Sequence, residues 1–318
     1  MPLQTTVCER CDQSADNLVQ TTDGQRICLA CRDYCYLQCG TCSGWHHEED
    51  RCANGCPCEC GDCGYCDDAG TSFDGLVRPY DYRPRPVFHG TGPLFLGPEI
   101  EVEIGDGDPY RCAEIASNGL GKLGYLKHDD SLTCGFEMVT HPMSYDWALE
   151  HFPWDLLGRL RASGCITSEA TGIHVHLSKA GFSSDAHKYR WMKFIYRNEP
   201  QVLRVARRHA PGWAAFRDED RRAVKRYVKD NYYGDKYRAI NTNNLHTFEL
   251  RIFAGSLDPQ VIKAAFAFSA ASVEYTRTLD FAAVAAGGWT WPAFTDWLDD
   301  QPRYTPLAGQ LEALACAC

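Results

Sequence analysis

The stretch Gly97-Pro98-Glu99-Ile100-Glu101-Val102-Glu103-Ile104 decides the fold. Side chains alternate across a β-strand, so its three glutamates lie on one face and its three β-branched residues on the other. Successive glutamates on that face are about 7 Å apart, which suits ligands of neighbouring cations. An isolated pattern of this kind is also typical of an ordinary strand with its acidic face in water. The interpretation as a site therefore depends on further segments.

Three further segments carry ligand-type side chains on one face of a predicted strand and apolar side chains on the other. They are 134–140 with Glu137, 172–178 with His174 and His176, and 246–253 with Glu249 and Arg251. A carboxyl in a buried strand requires a partner, because burial of an unpaired charge is costly. Together the segments predict an α+β fold, in which an antiparallel sheet has helices on one face and a polar catalytic cleft on the other.

The residue types in this cleft favour phosphate chemistry. Several carboxylates together with a histidine favour Mg²⁺ or Mn²⁺ that bridges the phosphates of a nucleotide, since hard cations prefer oxygen ligands. Arg251 adds a planar fork of donors that matches phosphate geometry. The sequence has no glycine-rich loop that ends in Lys-Ser or Lys-Thr. Phosphate binding is therefore expected to depend on metals and arginines.

The order of these motifs resembles the amidoligase branch of the glutamine synthetase-like carboxylate-amine ligases, over roughly residues 93–280. The matching motifs are Gly-x-Glu-x-Glu at 97–101, Asp-x-Ser-Leu at 129–132 followed by Glu137, Gly-x-His-x-His-x-Ser at 172–178, and Asn241 followed by Thr247-x-Glu249-x-Arg251. Two positions depart from the family pattern. Asp130 stands where glycine is often expected, and Glu103 has no assigned role.

The resemblance implies a role for each matching residue. Glu99, His174 and Glu249 would hold the metal beside the β and γ phosphates of ATP, while Glu101 and Glu137 would hold a second metal near the acceptor carboxylate. His176 would lie near the nucleotide, Arg251 would contact the phosphate or the acyl phosphate, and Arg207 and Arg208 fall where the family tends to carry a phosphate-side arginine. With Arg251, the five metal ligands form the expected catalytic set.

The activity that the resemblance implies is ATP-dependent amide formation through an acyl phosphate, with Mg²⁺ or Mn²⁺ as cofactor. The carboxylate and amine could belong to small molecules, peptides or proteins. Two alternatives stay open. One is phosphoryl transfer to an amine or guanidino group at the same metals. The other is a zinc-based interaction protein in which the ligase-like domain is catalytically silent.

The amino-terminal segment has the composition of a zinc module. Its first 70 residues hold 13 of the 18 cysteines, which indicates either a disulfide framework or zinc. Spacing favours zinc, because Cys8-x2-Cys11 and Cys28-x2-Cys31 are separated by 16 residues, as in zinc ribbons. Two further knuckles are Cys39-x2-Cys42 and Cys63-x2-Cys66, whose pairing with the neighbouring cysteines stays open.

Charge separates the two parts of the chain. Residues 1–70 contain 12 acids, 4 arginines and no lysine, a formal charge of −8. Nucleic-acid binding needs a basic footprint, so we expect this module to dock a protein or to be structural. Residues 186–238 carry 15 basic against 6 acidic residues, a formal charge of +9. This excess is typical of surface helices and also suits an anionic ligand.

The sequence predicts three regions: a cysteine-rich zinc-binding module at 1–70, a linker rich in proline and tyrosine at 71–92, and a glutamine synthetase-like amidoligase domain at 93–318. Helices are predicted at 145–163, 186–207, 217–230 and 259–278. The first hydrophobic run is too short and polar for a signal peptide, and no window is long and apolar enough for a membrane span. We therefore expect a cytoplasmic protein, with thiolates available to metal.

Overall fold

The computed structural model of the protein describes residues 7–11, 13–15, 17–22, 24–38, 44–47, 73, 75–129, 131–132, 134–208, 212–229 and 236–316. The chain divides into two compact units, Met1–Tyr82 and Arg83–Cys318. The division falls within the stretch 71–92 that the sequence predicts as a linker. Four predicted zinc ligands, Cys39, Cys42, Cys63 and Cys66, lie outside the described residues.

The first unit is built from short elements and has a small core. Its strands and helix are β1 (Leu18–Gln20), β2 (Arg26–Cys28), α1 (Leu29–Cys35), β3 (Tyr36–Gln38), β4 (Trp45–His47) and β5 (Val77–Arg78). Strands β1 and β2 pair antiparallel, as do β3 and β4. Cys8, Ile27 and Tyr36 are buried at the centre, and Leu18 and Trp45 pack against them.

The second unit contains a sheet and helices. Its strands are β6 (Leu96–Ile104), β7 (Gly124–Lys127), β8 (Gly135–Thr140), β9 (Cys165–Ile166), β10 (Gly172–Ser178), β11 (Ile240–Asn241) and β12 (Thr247–Ala254). Its helices are α2 (Pro109–Leu120), α3 (Tyr145–His151), α4 (Trp154–Ala162), α5 (Asp185–Arg197), α6 (Glu199–Ala206), α7 (Asp218–Lys229), α8 (Pro259–Thr278), α9 (Phe281–Ala285), α10 (Trp291–Asp299) and α11 (Thr305–Cys316).

The sheet of this unit runs in the order β11-β12-β10-β6-β8-β7, and β9 also pairs with β6. Every one of these strand pairs is antiparallel. The pairing of β10 with β12 shifts register between Ile173 and Val175. The predicted mixture of helices with a sheet is therefore confirmed.

One face of the sheet is apolar and packs against helices. On β6, Leu96, Ile100 and Val102 are fully buried. The ring of Trp191 on α5 stacks on Phe248 of β12, with ring centroids 5.6 Å apart. This packing leaves the opposite face of the sheet to the glutamates and histidines.

The prediction of one helix at 145–163 is wrong, because Pro153 divides it into α3 and α4. Proline has no N–H and forces the residue before it out of the helical region, and Phe152 is accordingly extended. The carbonyl of Leu149, four residues before Pro153, accepts a hydrogen bond from the indole Nε1 of Trp154 at 3.0 Å. Although Pro153 interrupts the helix, the carbonyl of Leu149 therefore keeps a hydrogen-bond donor.

The prediction of one helix at 186–207 is wrong for the same reason. Pro200 lies in the first turn of α6, and α5 ends at Arg197. The carbonyl of Tyr196, four residues before Pro200, accepts from the guanidinium of Arg221 on α7. By contrast, the predicted helix 259–278 is confirmed as α8, and the carboxylate of its N-cap Asp258 accepts from Gln260 N.

Within the part of the chain that the structure describes, no helix is both long enough and apolar enough to cross a membrane.

His187 fixes the start of α5 against α8. It is fully buried, its Nδ1 accepts from the backbone N–H of Ser183 at 3.1 Å, and its Nε2 lies 2.9 Å from the carbonyl oxygen of Val273. This arrangement requires the neutral ring with its proton on Nε2. Burial lowers the pKa of His187 from 6.5 to about 4.

We expect the free energy of unfolding of the His187→Gln variant to depend less on pH than that of the wild type. Below pH 6.5 the unfolded imidazole binds a proton that the folded one does not bind until about pH 4, so the free energy of unfolding falls across this window. Urea denaturation at a series of pH values would measure the slope. The exposed His151→Gln is the control. A variant at position 187 that keeps the wild-type slope between pH 6.5 and 4 would contradict this account.

Candidate functional site

Two glutamates meet on the polar face between β6 and β8. Glu101 is directly opposite Glu137, and Lys127 of β7 is opposite Glu137 on its other side. All three side chains are buried, and Lys127 Nζ lies 3.7 Å from Glu137 Oε2. The backbone N–H of Gly172 donates to Glu101 Oε2 at 2.5 Å. The register of the sheet thus brings two carboxyl groups and one ammonium group together.

The neighbouring part of the polar face joins β6, β10 and β12. Glu99 is opposite His174, and His176 is opposite Glu249. His176 Nε2 lies 3.3 Å from Glu99 Oε1 and 3.9 Å from Glu249 Oε2. Its other ring nitrogen, Nδ1, is 2.9 Å from the hydroxyl of Thr247, which fixes the orientation of the ring.

His174 lies between these two groups of carboxylates. Its Nδ1 is 3.8 Å from Glu99 Oε2 and 3.7 Å from Glu249 Oε1, and its Nε2 is 3.5 Å from Glu101 Oε1. Two triads result, Glu99-His174-Glu249 and Glu101-Glu137-His174, in each of which the ligand atoms lie within 4.8 Å of one another. The structure thus brings together the five residues that the sequence predicts as Mg²⁺ ligands.

Glu249 is held by three side chains. Its Oε2 accepts from Asn241 Nδ2 at 2.7 Å and from Asn244 Nδ2 at 3.2 Å, and its Oε1 accepts from Arg251 Nη1 at 2.5 Å. Charge-assisted hydrogen bonds of this kind fix a carboxylate in one orientation. The carboxylate is therefore fixed in position next to His174.

The carboxyl groups of this cluster divide into two classes by their pKa values. Burial alone would raise the pKa of Glu99, yet the nearby imidazoles of His176 and His174 hold it well below its ordinary range. For Glu137, burial and then the charge of Glu99 raise the pKa well above its ordinary range. Burial also raises the pKa of Glu101. On the Glu101-Glu137 side, burial thus opposes the charged form of both carboxyl groups.

His176 supplies part of the positive charge on the other side. Burial opposes its protonation, but the carboxylate of Glu99 outweighs this and raises the pKa of His176 to about 9. For Glu249, burial is likewise outweighed by His176, so its pKa is lowered. The Glu99-Glu249 side is therefore close to charge balance at neutral pH.

Two arginines flank the cluster, and a third predicted one does not. Arg251 Nη1 lies 3.5 Å from His174 Nδ1. Arg208 is buried, and its charge acts on Glu101. Gly172 allows this approach, because a Cβ there would lie 2.2 Å from Arg208 Nη1. Arg207 is exposed at the end of α6 in the left-handed conformation, with φ of 55°.

Sequence reasoning missed three side chains of this region: Lys127, Asn244 and Thr247 in its role as partner of His176. For Lys127 a signal was present. Gly124–Lys127 is a short strand in which Leu126 is buried on the apolar face, so alternation places Lys127 on the face of Glu137. For Asn244 and Thr247, the contact partner follows only from the three-dimensional path of the chain.

The donor set fits hard divalent cations. Each triad offers carboxylate oxygens and one imidazole nitrogen, which suits Mg²⁺ or Mn²⁺ better than a soft metal. A cation would also stabilise the carboxylate form of Glu137, whose pKa is raised by burial and then by the charge of Glu99. Asn241, Asn244 and Thr247 act as outer partners of the kind that orient metal ligands.

The first unit contains a separate set of ligands. The thiols of Cys8, Cys11, Cys28 and Cys31 lie within 4.8 Å of one another. The backbone N–H of Cys28 donates to Cys8 Sγ at 3.2 Å, and that of Cys31 to Cys28 Sγ at 3.4 Å. Four thiols with backbone donors fit a tetrahedral Zn²⁺ site. The two Cys-x2-Cys pairs of the sequence are therefore brought together.

Comparison with known protein families finds no match, and comparison with curated proteins finds none. Several solved structures are similar to the chain, and two of them share 16% identity with it. The first, titled "GmaS/ADP complex-Conformation 1", matches over 71% of this chain and 67% of that chain with a TM-score of 0.37. The second, "Apo GmaS without ligand", matches over 70% and 66% with a TM-score of 0.35. Similarity of this degree leaves the activity to be argued from the residues of the chain itself.

We expect Glu99→Gln to weaken Mn²⁺ binding by on the order of tenfold or more, since loss of a direct ligand should cost at least as much as loss of an outer partner. Free Mn²⁺ measured by electron paramagnetic resonance during a titration gives the affinity. Glu103→Gln is the matched control, because Glu103 is on the same strand but outside both triads. Equal affinities for the two variants would refute the placement of the site.

We expect Cys28→Ser to lose one equivalent of zinc. Co²⁺ substitution followed by absorbance reports thiolate coordination, and elemental analysis gives the zinc content. The control is Cys165→Ser, which changes a buried thiol of the second unit. A Cys28→Ser protein with the wild-type zinc content would show that these thiols do not form a site.

Proposed function

We propose that the protein is an ATP-dependent carboxylate-amine ligase. The observation that supports this most is the pair of hard-ligand triads that share His174 and are flanked by Arg251 and Arg208. Two adjacent cation positions beside arginines suit a reaction in which an anionic phosphoryl group meets an anionic carboxylate. The order of the motifs, which resembles that of amidoligases, supports the same reaction.

The reaction proceeds in two steps. The γ-phosphoryl group of ATP moves to an oxygen of the substrate carboxylate, which gives ADP and an acyl phosphate. The amine nitrogen then attacks the carbonyl carbon, phosphate leaves with the oxygen, and the amine loses a proton. The divalent cations supply charge neutralisation between the two anions.

The side chains of the cleft have separate tasks in this proposal. Glu99, His174 and Glu249 hold the cation beside the nucleotide phosphates, and Glu101 and Glu137 hold the one near the acceptor. Arg251 donates to the oxygens of the phosphoryl group in transfer. Arg208 adds positive charge next to Glu101. His176, charged at neutral pH because of Glu99, lies at the nucleotide side.

The substrates could be small molecules, peptides or proteins. The zinc module is a candidate for docking a macromolecular acceptor, by analogy with other fused docking modules. Its acidity argues for a partner other than nucleic acid. We include Zn²⁺ as a structural cofactor and Mg²⁺ or Mn²⁺ as the catalytic one.

We expect Glu249→Gln to lower the rate of ADP formation by about a hundredfold or more, since one such group contributes about 3 kcal/mol to the barrier. The assay supplies Mg·ATP with pools of carboxylates and amines, and mass spectrometry identifies the products. The ligase predicts ADP that depends on an acceptor, and a product lighter by one water than its two parts. Glu103→Gln, which changes a carboxylate outside both triads, is the control.

Other outcomes of the same assay distinguish the alternatives. A product that gains a phosphoryl group and contains no new amide would identify a phosphotransferase. Absence of both Mg·ATP binding and turnover in every pool would favour the zinc-based interaction protein with a silent domain. Full activity of Glu249→Gln would show that the chemistry does not use the cleft.

A further inference from the structure

A second cavity lies among helices α5, α7 and α9, away from the polar face of the sheet. Its volume is about 570 Å³, within the range of about 300–1,000 Å³ for sites that bind small molecules. Its walls are largely apolar and include Ala186, Tyr189, Val228, Phe281, Val284 and Trp289. No metal ligand or arginine of the candidate active site lines it.

Charged residues of both signs line the cavity, but the acids are already engaged. Asp185 forms an ion pair with Lys188 at 2.8 Å. The carboxylate of Asp280 accepts from the backbone N–H of Ala283 at 2.7 Å and caps α9. Each of these two carboxylates therefore already has a partner within the protein.

The lysines at the cavity are not engaged in this way. Lys225 and Lys229 are one turn apart on α7, and neither has an ion pair or hydrogen bond with any residue that the structure describes. Beyond its first turn, α7 also carries Arg222 and Arg226 as further cations, whereas Arg221 pairs with Glu199 and Asp218. The positive potential of this helix thus adds to that of the two lysines.

Two aromatic residues, Phe281 and Trp289, also line the cavity. The indole Nε1 of Trp289 is buried and has no acceptor among the described residues. A buried donor without a partner is costly. Phe281 is 88% exposed at the cavity, an unusual position for so large an apolar side chain. Its ring is available to cover an apolar ligand.

From these observations we infer that the cavity binds an amphiphilic anion, namely a carboxylate with an apolar chain. The apolar walls and Phe281 take the chain, while Lys225 and Lys229 take the carboxylate. The free charged groups at the cavity are the cations Lys225 and Lys229, so an anion is preferred over a cation of the same shape. The volume favours a small molecule over a protein surface. This site is independent of the proposed ligase activity.

The test is calorimetric titration of the full chain with dodecanoate below its micelle concentration, and with dodecyltrimethylammonium as the probe of opposite charge. We expect dodecanoate to bind and the ammonium analogue to bind much more weakly. The double variant Lys225→Glu/Lys229→Glu should weaken dodecanoate binding about tenfold, from two exposed charge interactions. The cavity-filling variant Val284→Trp should weaken it independently of charge.

The matched control is Arg222→Glu/Arg226→Glu, which makes the same charge change one turn apart on the same helix at residues that do not line the cavity. Urea denaturation of each variant verifies that it is folded. Three results would overturn the inference: no dodecanoate binding by the wild type up to about 1 mM, equal binding by the Lys225/Lys229 variant and the control, or equal affinity for the two probes. Binding of an acidic amphipathic peptide without dodecanoate binding would also overturn it, in favour of a protein-docking surface.

Discussion

The architecture of the second unit depends on how it accommodates four carboxyl groups on one face of a sheet. Glu99, Glu101, Glu137 and Glu249 converge there, where low dielectric strengthens their mutual repulsion. The protein offsets this repulsion with nearby cations. On one side it supplies His176 and Arg251, and on the other mainly Lys127 and Arg208. The pKa of Glu137 is raised first by its burial and then by the charge of Glu99.

This constraint also explains why the opposite face is so strongly apolar. A sheet that carries charge on one face must derive its cohesion from the other, and each strand therefore contributes fully buried side chains such as Ile100, Met138 and Val175. Fully buried aliphatic side chains stabilise by about 1.5–3 kcal/mol each. The aromatic contacts of α5 with β12 belong to the same layer. Packing on the apolar face thus holds the side chains of the polar cluster in position.

The sequence predicts most of the site because strand alternation is local. Alternation along one strand places Glu99 and Glu101 on the same face, and alternation along another strand does the same for His174 and His176. The repetition of this pattern predicts that these polar faces belong to one sheet. Asn244 could not be assigned in this way, since its contact with Glu249 depends on the path of the turn before β12. Arg207 and Arg208 are adjacent in sequence, and only the end of α6 determines that Arg208 is buried while Arg207 is exposed. The helix boundaries at Pro153 and Pro200 are signalled by the prolines themselves, and the predictions of unbroken helices overlooked this signal.

The position of His174 between two sets of carboxylates has a consequence for occupancy. A neutral imidazole has one lone pair available to a cation, because its other nitrogen carries the proton. The two nitrogens of His174 face different triads, so a neutral ring can complete only one of them at a time. A cation at the other triad would then take its third ligand from a water or from an oxygen of a bound substrate. If both triads bind a cation, this ring would couple the filling of one position to what has already arrived at the other.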